Sequence, residues 1–253
     1  MEANTGAMTE LLEGDVIHHD RVSSPVILLD KVKIYSSQLS QFTRLPISSF
    51  SYLFLKRPID LAVSGTLLLL LSPVILMVAF AVWASSPGPV FYRERRVGRF
   101  GKHFTIYKFR SMYTKEYLRD VLKYRESEQA EMRRRMEKKH VRDPRVTGAG
   151  AILRKLSLDE LPQLINVLKG DMSLIGPRPV VEAELTNYGN YVDLYKLMYP
   201  GLSGLWQVSG RNDVSYKSRV RKDVAYCKKW SPLLDFAILA RTVPAVLKGR
   251  GAY

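Results

Sequence analysis

The densest set of reactive side chains is Arg154-Lys155-Leu156-Ser157-Leu158-Asp159-Glu160-Leu161-Pro162-Gln163. Ser157-x-x-Glu160 has the spacing of a capping box, so a helix is predicted to begin here. Pro162 lies deep for a cap at Ser157, and a cap at Asp159 puts it more comfortably in the donor-free first turn. In either register the two carboxylates sit at a helix N-terminus, which favours their ionised forms and attracts anions. Successive helical residues diverge by about 100°. Asp159 and Glu160 are therefore badly placed to share one proton and better suited to separate tasks. One carboxylate can attack phosphorus to give an acyl phosphate. The other can hold Mg²⁺ against pyrophosphate oxygens.

Cations on stiff backbone accompany them. In Gly176-Pro177-Arg178-Pro179 an arginine is locked between two prolines, each with a fixed φ. A guanidinium held this way suits a phosphate or a nucleobase edge. Asp143-Pro144-Arg145 is a second stiff arginine turn, and Pro200 to Arg211 is a glycine-flanked stretch ending in a third. The aromatic and β-branched run His103 to Arg110 reads as a strand. Its alternation puts Lys108 and Arg110 on one face, where the pair can grip phosphate.

The elements that must position these groups begin with an apolar run. Leu61 to Ala84 carries no charge over 24 residues, about 36 Å as a straight helix and enough to cross a ~30 Å hydrocarbon layer. Two features argue against a simple span. Lys56 and Arg57 precede the run, and Arg93, Arg95, Arg96, Arg99 and Lys102 follow it. The positive-inside rule then asks for both ends on the cytoplasmic side. Ser72-Pro73 falls at mid-run, where proline removes a backbone donor and kinks a helix. Each half is about 18 Å long, enough to enter the bilayer and return. A re-entrant helix broken at Ser72-Pro73 is the expectation. A cleaved signal peptide is not, because the run starts some 60 residues in with no small-residue cleavage site.

Charge agrees with a polyanionic partner. The chain has 39 Lys and Arg against 24 Asp and Glu, a net of +15. Residues 1–50 contribute four cations and six acids, which leaves +17 on residues 51–253. One cysteine forms no internal disulfide and suits a reducing compartment. Four scattered histidines offer no zinc-like cluster. Residues 1–50 lack periodicity and read as a mobile or accessory segment. Residues 115–140, with Arg133-Arg134-Arg135, read as a charged, solvated or membrane-facing helix. Pro232 to Leu247 is apolar but interrupted by Asp235 and Arg241, as expected of an interfacial amphipathic helix or a core helix. The basic stretch Lys217 to Lys229 beside it suits anionic headgroups.

Taken in order, several stretches resemble one family. They are Lys56-Arg57-Pro58-Ile59-Asp60, Ser72-Pro73, Pro87-Gly88-Pro89-Val90-Phe91-Tyr92, Lys108-Phe109-Arg110-Ser111-Met112, Asp143-Pro144-Arg145-Val146-Thr147, Ser157 to Gln163, Gly170-Asp171-Met172-Ser173, Gly176-Pro177-Arg178-Pro179, and Pro200 to Arg211. This ordered set resembles the bacterial sugar transferases known as monotopic polyprenol-phosphate phosphoglycosyl transferases. The resemblance implies a mainly helical α+β fold: a re-entrant membrane helix over 51–86, and a small cytoplasmic-face catalytic domain with short strands and interfacial helices over 87–253. It implies Asp159 as nucleophile, Glu160 as a Mg²⁺ ligand and Arg178 as a nucleotide contact. Arg145, Arg154 and the Lys108/Arg110 pair are the further phosphate contacts it suggests, and Arg211 is a further substrate-binding residue. The implied substrates are a UDP-sugar and undecaprenyl phosphate. The implied location is the inner-membrane surface, among anionic lipids, without nucleic acid and with room for homo-oligomers. Long family members carry further N-terminal spans, whereas this chain looks like the catalytic unit alone. Its C-terminal part looks most like members that transfer hexose 1-phosphate, galactose or glucose. Two rivals remain: a single-displacement transferase with Asp159 as general base, and a basic membrane-anchored protein that binds nucleic acid or anionic lipid without catalysis.

Overall fold

The computed structural model describes residues 51–123, 143, 145–210 and 214–248, and these belong to one compact unit. The expectations for residues 1–50, for Arg133-Arg134-Arg135 and for Arg211 fall outside the described residues. The architecture is α+β and mainly helical, with two small two-stranded sheets.

A π-helical turn, Ser51–Leu55, leads into α1 (Lys56–Leu70), followed after Leu71 by α2 (Ser72–Ser85). The two helices bend by 63° at the break. Pro73 explains the bend and Ser72 makes it tolerable. Proline cannot donate to the carbonyl four residues back, that of Leu69. The Ser72 hydroxyl donates to that carbonyl instead, at 2.8 Å. Among the described residues no single helix is long and apolar enough to cross a membrane, although the bent pair together has the length and composition. Large apolar side chains on the pair face outward, with Leu69, Leu70, Leu76, Met77, Phe80 and Trp83 all exposed.

The inner stripe of α2 holds the core. Val78 and Val82 pack with Phe109 and Leu153, and Leu158 and Leu161 close around them. Burying an aliphatic or aromatic side chain of this size contributes about 1.5–3 kcal/mol, so this stripe ties α2 firmly to the rest of the domain. The N-terminus of α1 is fastened by polar groups. Asp60 accepts from the Leu174 N–H at 3.1 Å. Lys56 Nζ, with its residue only 5% exposed, donates to the Ile175 carbonyl at 2.9 Å and pairs with Asp235 at 2.5 Å. Arg57 donates to the carbonyls of Val167 and Leu168. The positive-inside count used Lys56 and Arg57 as flanking charges. Both instead serve hydrogen bonds within the fold.

Strands β1 (Phe91–Val97) and β2 (His103–Phe109) form an antiparallel hairpin with Glu94 opposite Ile106. Helix α3 covers Lys115–Lys123, the described part of the predicted charged helix. Helix α4 (Gly148–Lys155) is capped by the Thr147 hydroxyl, which accepts from the Gly150 N–H at 2.8 Å. After a 3-10 turn, Leu158–Glu160, come α5 (Gln163–Lys169) and β3 (Ser173–Ile175). A 3-10 stretch, Glu182–Tyr191, leads to α6 (Val192–Lys196) and then β4 (Gly201–Ser203), which pairs in parallel with β3. Gly176 and Gly201 let these segments meet, because a Cβ on either would collide with the other's backbone. Helices α7 (Tyr216–Lys229) and α8 (Pro232–Lys248) complete the fold. On α8, Ile238 is buried while Leu233, Phe236 and Val243 are exposed, the two-faced pattern expected of it.

Candidate active site

The capping box predicted at Ser157 does not form. Ser157 adopts a left-handed backbone, φ 55°, and its side chain caps nothing. Leu158–Glu160 is a single 3-10 turn, with the Glu160 N–H on the Ser157 carbonyl and the Leu161 N–H on that of Leu158. Pro162 causes the difference. Having no N–H, it interrupts the ladder, and α5 starts only at Gln163 with Pro162 at its N-cap. Packing does the rest. In a 3-10 turn residues i and i+3 eclipse, so Leu158 and Leu161 face the α2 core together. Asp159 and Glu160 are thereby directed off that core, about 120° apart.

Beside Glu160 lies a small cleft whose lining includes Arg96, Lys108, Glu160, Gln163, Arg178 and Gln207; Asp159, next in the same turn, is not among the lining residues. Lys108 reaches it because strand alternation puts Phe104, Ile106 and Lys108 on one face of β2. Its ammonium lies 2.6 Å from Glu160 Oε1. Burial alone would push the Glu160 carboxyl up, but the Lys108 charge and its hydrogen bond outweigh that and hold it low. Among the described residues Asp159 has no such ion pair. Burial and the neighbouring Glu160 charge raise it to about 6, against the pull of Lys108 and Arg154. The dyad is thus unequal: Lys108 holds the Glu160 carboxyl low, and burial with the Glu160 charge holds Asp159 high.

Arg178 also lines the cleft, and its charge helps to hold Glu160 low. Its guanidinium lies over the Trp206 ring at 5.5 Å, and that of Arg219 lies over the same ring at 4.8 Å. Three lining side chains keep a buried polar atom with no hydrogen-bond partner among the described residues: Arg96 Nε, Arg178 Nε and Gln207 Oε1. Unpaired buried polar groups are costly. A cleft with three of them, rich in cations and amides, is preorganised for an anionic, hydrogen-bonding ligand.

The structure separates the other predicted cations. Arg110 lies just past the end of β2 and turns inward. It donates to the carbonyls of Ser86 at 2.7 Å, Val82 at 3.3 Å and Pro87, closing the C-terminus of α2. The expected Lys108/Arg110 phosphate grip is not formed, because only Lys108 faces the cleft. Arg145 makes a forked ion pair with Asp143, 2.7 Å at its closest, and does not line the cleft. Arg154 acts on Asp159 through its charge. Spacing alone assigns no individual role to Arg96, Gln163, Gln207 or Trp206. The glycine-flanked stretch Pro200 to Arg211 is the signal that could find Gln207 and Trp206, and in sequence Arg96 stands only as a flanking charge.

A divalent ion fits the dyad in a limited way. Among the described residues no three acidic, His or Cys side chains cluster. Two carboxylates with the rest of the shell from phosphate and water is, however, an arrangement typical of Mg²⁺. The mutual repulsion that raises Asp159 is what such an ion would relieve.

Comparison with known proteins agrees with the geometry. The sequence model described as bacterial sugar transferase matches residues 51–249. The chain is 48% identical to the exopolysaccharide production protein ExoY of Rhizobium meliloti, over 78% of this chain and 88% of that protein. It is 48% identical to the undecaprenyl-phosphate galactose phosphotransferase of Salmonella typhimurium, over 79% of this chain but only 42% of that protein. It is 37% identical to the UDP-glucose:undecaprenyl-phosphate glucose-1-phosphate transferase of Escherichia coli, over 88% of this chain and 44% of that protein. The chain thus spans less than half the length of the last two. With residues 51–249 matched, the chain belongs to the bacterial sugar transferase family.

Proposed function

We propose that the protein transfers a hexose 1-phosphate, galactose or glucose, from its UDP-sugar to undecaprenyl phosphate, with release of UMP. The observation that carries this reading is the unequal dyad beside a cationic cleft: Glu160 held ionised by Lys108, with Asp159 next to it in the same turn. The names of the relatives support the substrate classes: two are undecaprenyl-phosphate transferases of galactose or glucose phosphate, and a third is an exopolysaccharide production protein.

In this reading the Asp159 carboxylate attacks the phosphorus that bears the sugar. The bond from that phosphorus to the bridging oxygen breaks, and UMP leaves with the oxygen. Arg178 and Arg96 hold the nucleotide diphosphate, and Lys108 keeps Glu160 charged and oriented. An oxygen of undecaprenyl phosphate then attacks the acyl phosphate, which frees Asp159 and yields the sugar diphospholipid. Glu160, with Asp159 beside it, would hold Mg²⁺; the ion supplies charge neutralisation at the diphosphate. The product is a first lipid-linked intermediate for an exported polysaccharide.

The lipid acceptor gives the broken helix a purpose. Residues 51–86 form a re-entrant element that dips into the cytoplasmic leaflet of the inner membrane, and the remainder sits on that face. Two observations support it: the 63° bend at Ser72-Pro73 and the exposed apolar side chains on both halves. Contact between α2 and Leu158/Leu161 joins this element directly to the turn that carries the dyad. The test is to incubate purified protein with undecaprenyl phosphate, Mg²⁺ and each of several UDP-sugars, and to measure UMP. Release with UDP-galactose or UDP-glucose, lost on chelation, is expected; no UMP with any UDP-sugar would reject the reading.

A further inference from the structure

The Pro177-Arg178-Pro179 turn contains a single N–H, because both prolines lack one. That N–H donates to Asp223 Oδ2 at 3.3 Å. The same oxygen accepts the Tyr188 hydroxyl at 2.8 Å. The Arg178 carbonyl is held too. Tyr195 Oη lies 3.1 Å from it and 3.1 Å from the Val97 carbonyl, and accepts the Val180 N–H at 3.2 Å. Both main-chain polar groups of Arg178 therefore end on buried side chains; Asp223 is 1% exposed, Tyr188 3% and Tyr195 2%. Asp223 lies one turn beyond Arg219 on α7, and Arg219 lies over the Trp206 ring that also carries the Arg178 guanidinium. One helix thus anchors the backbone of Arg178 and braces the ring beneath its side chain.

We infer that Asp223 is a positioning residue for nucleotide binding, acting through the main chain of Arg178, with Tyr188 as the strut that holds its carboxylate. This rests on the reading above in which Arg178 contacts the nucleotide. The cleft does not touch Asp223, so its influence must pass through Arg178. Fixing the Arg178 backbone orders its side chain before ligand arrives, so that less freedom is lost on binding.

The test measures UMP binding by calorimetry to the detergent-solubilised full chain, for wild type, Arg178→Ala, Asp223→Asn and the double variant, and KM and kcat for the UDP-sugar where turnover survives. Arg178→Ala is expected to weaken UMP binding about tenfold or more, and Asp223→Asn about three- to tenfold. The Asp223→Asn effect should fall mainly on KM. In the Arg178→Ala background Asp223→Asn should add almost nothing, whereas independent roles would multiply. If Arg178→Ala binds UMP like wild type, the nucleotide role of Arg178 falls, and this inference with it. If Arg178→Ala is impaired but Asp223→Asn is not, or if the two effects multiply, this inference alone is overturned. Should Asp223→Asn fail to fold, Tyr188→Phe takes its place. A smaller loss of UMP affinity that vanishes in the Arg178→Ala background supports the inference, and undiminished affinity contradicts it.

Discussion

Lys108 and Glu160 are 52 residues apart in sequence, and their side chains meet at 2.6 Å on the rim of the cleft. The contact joins β2 to the 3-10 turn. It makes one carboxylate of the dyad a fixed anion and leaves Asp159 the more basic neighbour. Replacing Lys108 with Met should lower UMP release by about one to two orders of magnitude. Fold stability, followed by thermal melting, should change little, because the pair is partly solvent-exposed. Unimpaired turnover would show that the pair is incidental.

The dyad also sets a pH dependence. A nucleophilic Asp159 must be ionised, and its carboxyl is raised to about 6 by burial and by Glu160. The burst of UMP release should therefore rise with pH and level off by about 6, the limb lying lower where a bound divalent ion relieves the repulsion from Glu160. Lys108 lowers both carboxyls, so Lys108→Met should move this limb to higher pH. A limb that stays in place or moves down in the variant would contradict the assignment.

Arg110 gives the opposite pattern to Lys108. It is 6% exposed and serves the carbonyls of Ser86, Val82 and Pro87. Arg110→Met strands those acceptors and should cost about 1–3 kcal/mol of stability, read as a lower melting temperature. Activity per folded molecule should fall less than in Lys108→Met.

This contrast shows what was legible in the sequence. The order of motifs pointed to the dyad, the Pro-Arg-Pro turn and the break at Ser72-Pro73. The break is legible because proline acts on its own backbone, wherever the rest of the chain lies. The fates of Lys108 and Arg110 were not, because alternation assigns both to one face only while the strand continues, and β2 ends at Phe109. The helix start at Ser157 misled for a related reason: a local spacing pattern was overridden by Pro162 and by the packing of Leu158 and Leu161 on α2. Asp223 carried no local signal at all, since its partners Arg178 and Tyr188 come from distant segments.

Burial raises the Asp223 carboxyl to about 7 against an ordinary 3.8, despite hydrogen bonds from Tyr188 and the Arg178 backbone and the nearby Arg178 charge. An acid raised in the folded state keeps its proton there while the unfolded chain has lost it. The folded state then binds more protons, so stability falls as pH rises from about 4 to about 7. Asp223→Asn should remove this contribution. The melting-temperature difference between variant and wild type should shift in the variant's favour across that window, and a constant difference would refute the assignment.

Membrane geometry gives a topological prediction. Single cysteines placed at Leu55 and at Pro87, at the two ends of the broken helix and both exposed, should react alike with an impermeant maleimide. In intact spheroplasts neither should label, and in inverted vesicles both should. Cys227 is buried and gives little background. Labelling of the two positions from opposite sides would mean the helix pair crosses the bilayer.

The most direct test of a covalent mechanism is to mix the protein with UDP-sugar labelled in the sugar, omit undecaprenyl phosphate, quench with acid and map the label by mass spectrometry. A covalent Asp159 mechanism should leave one hexose phosphate on the peptide containing Asp159, formed with stoichiometric UMP and absent in Asp159→Asn, which should also lose turnover by at least about a thousandfold. An unlabelled protein that turns over normally once undecaprenyl phosphate is added, or a label that persists in Asp159→Asn, would contradict it.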